Sequence, residues 1–136
     1  PAVACLLSDG LNRVGQSEET REIAQRIILH FGNAVDLMQE LAAQKGRPDV
    51  VYLDPMYPER RKTAAVKKEM AYFHDLVGVA QDEAELLDAA LNTAKKRIVV
   101  KRPRLGEFLD GRKPAYQYTG KSTRFDVYLP TRPSED

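Results

Sequence analysis

The feature that most constrains the fold of this chain is a set of three short aliphatic runs, each preceded by a segment that favours helix. The runs are RIILHF (residues 26–31), DVVYLD (49–54) and RIVVK (97–101). Such runs, lying between helical segments, are typical of buried strands in a parallel sheet. Near the end, PAYQYTG and STRFDVYLP alternate apolar and polar residues, which predicts an antiparallel hairpin. The order predicts an α/β fold with a mostly parallel sheet and a terminal antiparallel hairpin.

The segments between these runs carry the usual marks of helices. Residues 2–11 and 18–25 have helical spacing or good helix formers, and the second of these segments begins with two acids. Asn33 precedes an apolar helical stripe and is placed to cap it. Asp82, followed by Glu85, resembles a capping box before a further helix.

Composition indicates a single soluble globular domain. The chain has 136 residues, of which 43% are apolar and 30% charged, too apolar for a disordered segment. No stretch approaches the ~20 apolar residues of a membrane span. One cysteine and two histidines exclude an internal disulfide framework and argue against a metal site. The chain shows no signal peptide, and we expect a cytoplasmic location.

Charge is unevenly distributed along the chain. The formal net charge is +1, yet residues 1–58 carry −3 and residues 59–136 carry +4. The excess lies in two runs without acids, RRKTAAVKK (60–68) and KKRIVVKRPR (95–104). This asymmetry indicates a polyanionic partner, with an ordinary solvated surface as the alternative.

One loop after a predicted strand carries the groups of a base-binding site. Asp54-Pro55-Met56-Tyr57 follows DVVYL directly, and ligands of α/β sheets bind at the carboxyl ends of strands. The carboxylate can accept a hydrogen bond from an exocyclic amine while the phenol ring stacks on a base. Prolines on both sides of Met56-Tyr57 stiffen the loop. A plain Asp-Pro turn is the alternative interpretation.

Several motifs together resemble one family of enzymes. DVVYLDPMYP, KKEM, LVG, RIVVKRP and RFDVY have the order and spacing of the ribosomal RNA small-subunit methyltransferase J family, guanine-N2 methyltransferases of bacteria. The resemblance covers essentially the whole chain. DPMY resembles that family's variant of the Asn/Asp-Pro-Pro-aromatic signature of amino-group methyltransferases, although Met56 departs from the second proline of the broader signature. The resemblance implies a Rossmann-like, S-adenosylmethionine-dependent fold and methylation of a guanosine N2 in 16S ribosomal RNA.

The resemblance also implies roles for particular residues. Gly32, Asn33 and Asp54 would contact the cofactor. Asp54 and the carbonyl of Pro55 would hold the amine, and Tyr57 would stack on the guanine. Basic residues after the strand ends are the predicted RNA contacts: Arg60, Arg61, Lys62, Lys67, Lys68, Lys101 and Arg102. The expected partner is ribosomal RNA or the small ribosomal subunit, with no metal and no membrane.

Two features of a complete domain of this class are missing from the sequence. No G-x-G turn is present, and no strand precedes the first helix. We therefore expect residues 1–136 to be a single partial methyltransferase domain, truncated at the N-terminus and lacking its first βαβ unit. We expect it to bind S-adenosylmethionine weakly or not at all and to be inactive alone, and its exposed sheet edge could drive self-association.

Other functions stay open at this point. Methylation of adenine N6 or of a protein glutamine would use the same Asp-Pro-aromatic loop. An RNA-binding module without catalysis would account for the basic runs but not for DPMYP. A nucleotide-binding hydrolase is disfavoured because the chain has no GxxxxGK[ST] loop.

Overall fold

The computed structural model describes residues 2–56 and 82–131. The chain forms two compact units, and the described residues divide between them at Gly32 and Asn33. The first unit contains helices α1 (Ala2–Gly15) and α2 (Glu18–Gln25), close to the predicted positions. Thr20 Oγ1 donates to Val14 O at 2.6 Å and fixes the turn between the two helices.

The second unit contains the sheet. Its elements are α3 (Ala34–Ala43), β1 (Val50–Leu53), α4 (Glu83–Thr93), β2 (Arg97–Pro103), a 3-10 turn (Leu109–Gly111), β3 (Tyr116–Thr119) and β4 (Thr123–Tyr128). The strand order is β1-β2-β4-β3, with β1 and β2 parallel and the other pairs antiparallel. The α/β fold and the terminal hairpin are confirmed. Within the described residues the sheet is mixed, not mostly parallel.

Both predicted N-caps are present. Asn33 Oδ1 accepts hydrogen bonds from Val35 N at 2.9 Å and Asp36 N at 3.3 Å. Asp82 Oδ1 accepts from Ala84 N at 2.9 Å at the start of α4. A cap depends only on neighbouring residues, so a sequence pattern is sufficient to locate it.

The core lies between the two helices and one face of the sheet. The parallel register sets Val51 beside Ile98 and Leu53 beside Val100, and these residues point towards the core. The centre of the core is formed by fully buried side chains: Leu87, Ala90, Ala94, Ile98, Val100 and Leu109. The opposite face of the sheet carries the alternate residues, and that face holds the site described below.

Two predictions about strands are wrong. Residues 27–31 of RIILHF form no strand, and Ile28 and Phe31 are exposed. An aliphatic run favours extended backbone, but a strand needs a hydrogen-bonded neighbour, which this segment does not have in the described structure. The run DVVYLD does form β1, yet Val50 and Tyr52 are exposed rather than buried. They point to the face away from α3 and α4.

Across residues 2–56 and 82–131, the helices are too short or too polar to cross a membrane.

Candidate active site

The carboxyl ends of the two parallel strands bring Asp54 and Lys101 together. The register sets Leu53 beside Val100, so the next residues along each strand, Asp54 and Lys101, are neighbours on the face away from the core. Lys101 Nζ donates to Asp54 Oδ2 at 3.0 Å. The structure therefore joins a residue predicted to be catalytic with one predicted to contact RNA.

Both members of this pair are partly open to solvent. The Lys101 side chain is 42% exposed and that of Asp54 is 53% exposed. The hydrogen bond to Asp54, and then the charge of Asp54, raise the pKa of Lys101 above its usual value. Lys101 is therefore protonated at neutral pH, and it can donate hydrogen bonds but cannot accept a proton.

The pairing leaves Asp54 able to bind an amine. A carboxylate has two acceptor oxygens, and Lys101 engages Oδ2. The second oxygen, Oδ1, can accept from an exocyclic NH₂ group. Pro55 follows directly and is partly buried, which limits the freedom of the backbone after the strand.

The rest of the predicted loop lies beyond the described ranges. Tyr57 is outside the described residues, and so are most of the predicted RNA contacts: Arg60, Arg61, Lys62, Lys67 and Lys68. Stacking by Tyr57 and RNA contact by these five basic residues stay predictions.

The predicted cofactor contacts other than Asp54 lie around the start of α3. Asn33 is in the second unit, where its side chain caps the helix. Gly32 is the last described residue of the first unit. Capping fixes the Asn33 side chain beside the backbone N–H groups of the first helical turn. Cofactor contact by these two residues stays a prediction.

Arg102 is not placed to bind RNA, and that prediction is wrong. Its side chain is only 2% exposed, because β2 alternates and turns Arg102 towards the core while Lys101 points away. Arg102 Nε donates to Glu107 O at 2.9 Å, and Nη1 lies 3.5 Å from Glu83 Oε1. The guanidinium is held inside the protein rather than offered to a phosphate.

A second buried arginine fixes the loop that follows β2. Asp126 is fully buried and accepts from Arg124 Nε at 2.7 Å, from Arg124 Nη2 at 2.8 Å and from Gln117 Nε2 at 2.8 Å. Arg124 Nη1 donates to the carbonyls of Arg104 at 3.1 Å and Gly106 at 2.9 Å. The loop at this end of β2 is therefore tied to the sheet by a buried cation.

Lys121 is an exposed basic residue near the carboxyl end of β2 that the sequence prediction did not include. Arg104, at the end of the second basic run, donates its backbone N–H to Ser122 O at 3.0 Å, which places the hairpin turn beside it. Arg104 and Lys121 are both exposed. Because β4 runs antiparallel to β2, the turn before β4 lies at the carboxyl end of β2. The sequence alone does not reveal this pairing of β2 with β4, and so it does not place Lys121 near Arg104.

The residues described, 2–56 and 82–131, include no cluster of three or more His, Cys, Asp or Glu that could hold a metal ion.

Comparison with known proteins defines the class. The model of a family described as "Putative SAM-dependent methyltransferase" matches residues 1–130, so the chain belongs to that family. Ribosomal RNA small subunit methyltransferase J of Neisseria gonorrhoeae is 72% identical over 130 residues, which are 96% of this chain and 52% of that protein. The protein of the same name from Thioalkalivibrio sulfidiphilus is 53% identical over 129 residues, 95% of this chain and 50% of its own length.

A solved structure supports the same class. The crystal structure of a SAM-dependent methyltransferase from Neisseria gonorrhoeae superposes with a TM-score of 0.76 at 63% sequence identity. The match covers 96% of this chain and 50% of that one. The chain thus spans about half the length of the relatives it matches.

Proposed function

We propose that this protein methylates the exocyclic N2 of a guanosine in small-subunit (16S) ribosomal RNA, with S-adenosylmethionine as the methyl donor. One observation carries the proposal: Asp54 stands at the carboxyl end of β1, is followed by Pro55 and is held by Lys101 of the adjacent parallel strand. Membership of the methyltransferase family and 72% identity to a ribosomal RNA methyltransferase support it.

We also propose that residues 1–136 are part of one Rossmann-like methyltransferase domain whose whole sheet is mostly parallel. The parallel pair β1–β2 and the antiparallel hairpin beside it suit such a sheet. The coverage of about half of each relative is consistent with a partial domain. A ribosomal RNA substrate would place the protein in the cytoplasm. Self-association through a sheet edge stays a prediction.

The residues at the strand ends suit one part of the cofactor. The half-exposed carboxylate of Asp54 and the N–H groups that begin α3 are the kinds of group that meet an adenine edge. Asp54, Asn33 and Gly32 would hold the cofactor. When bound, it supplies a methyl group already activated on a sulfonium, so no covalent intermediate on the protein is needed.

The chemistry left to the protein is alignment of the amine. Guanine N2 is a weak nucleophile because its lone pair is delocalised into the ring. Asp54 and the carbonyl of Pro55 would accept from the NH₂ group and favour its pyramidal form, while Tyr57 would stack on the base. The proton released after transfer can go to solvent, since Lys101 is already protonated.

The catalytic role of Asp54 can be tested in the full-length protein. We expect Asp54→Ala to reduce methyl transfer from labelled cofactor to 16S RNA or 30S subunits by about 100-fold or more. Nucleoside analysis of the product should give N2-methylguanosine. Activity of Asp54→Ala equal to that of the wild type would contradict the role of Asp54, and N6-methyladenosine or methylated glutamine would contradict the substrate.

Asn33 needs a variant that separates its two roles. Asn33→Ser keeps an acceptor for the helix cap but removes the amide group. If Asn33 contacts the cofactor, Asn33→Ser weakens cofactor binding while thermal stability stays near that of the wild type. If the variant is stable and its cofactor affinity is unchanged, Asn33 caps the helix and does not contact the cofactor.

RNA binding by Arg104 and Lys121 would be electrostatic. We propose that both contact phosphates beside the site. Each phosphate that a cation neutralises steepens the fall of log affinity with log salt by about 0.7 to 0.9. The double variant Arg104→Ala/Lys121→Ala should therefore weaken RNA binding and reduce the magnitude of this slope by about 1.5. Lys96→Ala, at the opposite end of β2, is the matched control and should leave the slope unchanged. An unchanged slope in the double variant would exclude this surface.

A further inference from the structure

Two lysine–aspartate pairs join β1 to β2, one at each end of the strands. Lys96 Nζ lies 3.3 Å from Asp49 Oδ2 at the amino ends, and Lys101 Nζ lies 3.0 Å from Asp54 Oδ2 at the carboxyl ends. The two lysines are five positions apart along the chain, a distance of roughly 16 Å in extended backbone. The two pairs have the same chemistry and link the same strands, but only one of them lies at the proposed site.

A contribution to stability does not explain the Lys101–Asp54 pair. Both pairs are largely solvated, and exposed ion pairs contribute little to folding because water screens the charges and the side chains lose freedom. The pair at the carboxyl ends differs from the other pair in the position of its carboxylate. Asp54 begins the Asp54-Pro55 loop, to which the methyl-acceptor amine is assigned.

We propose that Lys101 is a positioning residue that orients the Asp54 carboxylate for the methyl-acceptor amine. This inference rests on the function proposed above. Lys101 takes Oδ2, so the carboxylate is held with Oδ1 as the acceptor for the amine. Without the ammonium group, the half-exposed carboxylate can rotate, and both of its oxygens can be solvated.

The placement of Lys101 suits it to this task. It lies on β2, which is hydrogen-bonded to β1 on one side and to β4 on the other, where Phe125 is its register partner. A residue on a strand paired on both sides has a fixed backbone position, whereas Asp54 stands just past the end of β1. The rigid strand therefore holds the side chain of the less constrained residue.

The competing role for Lys101 is the RNA phosphate contact predicted from the sequence. The two roles predict different effects when Lys101 is replaced by an uncharged residue. A phosphate contact affects RNA affinity and its salt dependence, and leaves the rate at saturating RNA unchanged. A positioning residue affects the rate of the bound complex, and leaves affinity and the salt slope nearly unchanged.

The test is single-turnover methyl transfer at saturating ribosomal RNA, measured on the full-length protein together with RNA affinity at several salt concentrations. We expect Lys101→Gln to lower the rate about 10- to 100-fold, with the salt slope unchanged. Lys101→Arg keeps a cationic donor and should recover most of the rate. Lys96→Gln, which breaks the matched pair at the other end, should behave as the wild type.

A double variant tests whether Lys101 acts through Asp54. If it does, Asp54→Asn/Lys101→Gln should be no slower than Asp54→Asn alone, because the group being oriented is already altered. If the two substitutions instead lower the rate by the product of their separate effects, the inference is wrong. A wild-type rate in Lys101→Gln with the salt slope lowered by about 1 would also overturn it, because that result would establish a phosphate contact. If wild-type protein transfers no methyl to ribosomal RNA, the proposed function itself fails, and this inference fails with it.

Discussion

Replacing Asp126 with asparagine removes one buried charge and exchanges one of its two acceptor oxygens for an NH₂ donor, with little change in shape. Asp126 lies within β4, fully buried, and accepts hydrogen bonds from Arg124 and Gln117. Arg124 is itself buried, and its register partner on β2 is the buried Arg102. Asparagine has nearly the same shape as aspartate but cannot neutralise a guanidinium. The variant therefore tests how much the core face of the sheet depends on charge compensation.

The expected cost follows from the burial of the pair. Removing one partner of a buried ion pair typically costs 3–5 kcal/mol, because the other charge stays desolvated without compensation. The asparagine carbonyl can keep part of the hydrogen bonding, so we expect a loss of about 3 kcal/mol, near the lower end. Domains of this kind have total stabilities of about 5–15 kcal/mol, so the loss is a large share.

Urea unfolding followed by circular dichroism measures this loss. The matched control is Asp88→Asn, which makes the same chemical change on α4, where Asp88 is 57% exposed and pairs with Arg112 Nη1 at 2.7 Å. Water screens that pair, so the control should unfold at nearly the wild-type urea concentration. A change below about 1 kcal/mol for Asp126→Asn, or one no larger than the control gives, would refute the argument.

Three further predictions concern stability. Asn33→Ala removes the cap of α3 and should cost about 1 kcal/mol, most of which Asn33→Asp should restore, as measured by urea unfolding. Thr93→Val should also cost about 1 kcal/mol, because the buried Oγ1 lies 2.9 Å from Met38 O and links α4 to α3. Burial, and then the charge of Asp126, raise the pKa of Tyr128 to about 12. Between pH 10 and about 12 the unfolded chain loses this proton while the folded protein keeps it, so stability should fall by up to about 1.4 kcal/mol per pH unit. Tyr128→Phe should lack that slope.

Local features were predictable from the sequence. The caps at Asn33 and Asp82 depend on residues within one turn, and both are present. The run RIVVK predicted β2, and the hairpin followed from alternation around Gly120-Lys121-Ser122. In each case the sequence pattern and the final hydrogen bonding involve the same few residues.

Features that depend on pairing between distant segments were not predictable in the same way. RIILHF has strand composition, but composition does not supply a neighbouring strand. Tyr52 lies in an aliphatic run, yet it is exposed because β1 has one face away from α3 and α4. The approach of Lys121 to Arg104 depends on the register of β2 with β4.

Lys101 and Arg102 show how strand geometry gives two neighbours in one basic run different surroundings. Strand alternation turns Lys101 towards Asp54 and turns Arg102 into the core, where its guanidinium contacts the backbone carbonyl of Glu107 and the carboxylate of Glu83. A charge count gives both the same role, whereas the strand geometry separates them.

The buried Arg124 also connects the stability of the sheet to the proposed RNA surface. Arg124 holds the carbonyls of Arg104 and Gly106, so the loop that presents the Arg104 side chain depends on the same buried cation that Asp126 neutralises. Lys101 reaches Asp54 across the opposite face and does not use these contacts. Weakening the buried pair should therefore loosen the loop, and with it RNA affinity, before it disturbs the orientation of Asp54. Under the proposed function, we therefore expect RNA affinity and the rate of the bound complex to respond to different substitutions, because Arg124 and Lys101 lie on opposite faces of the sheet.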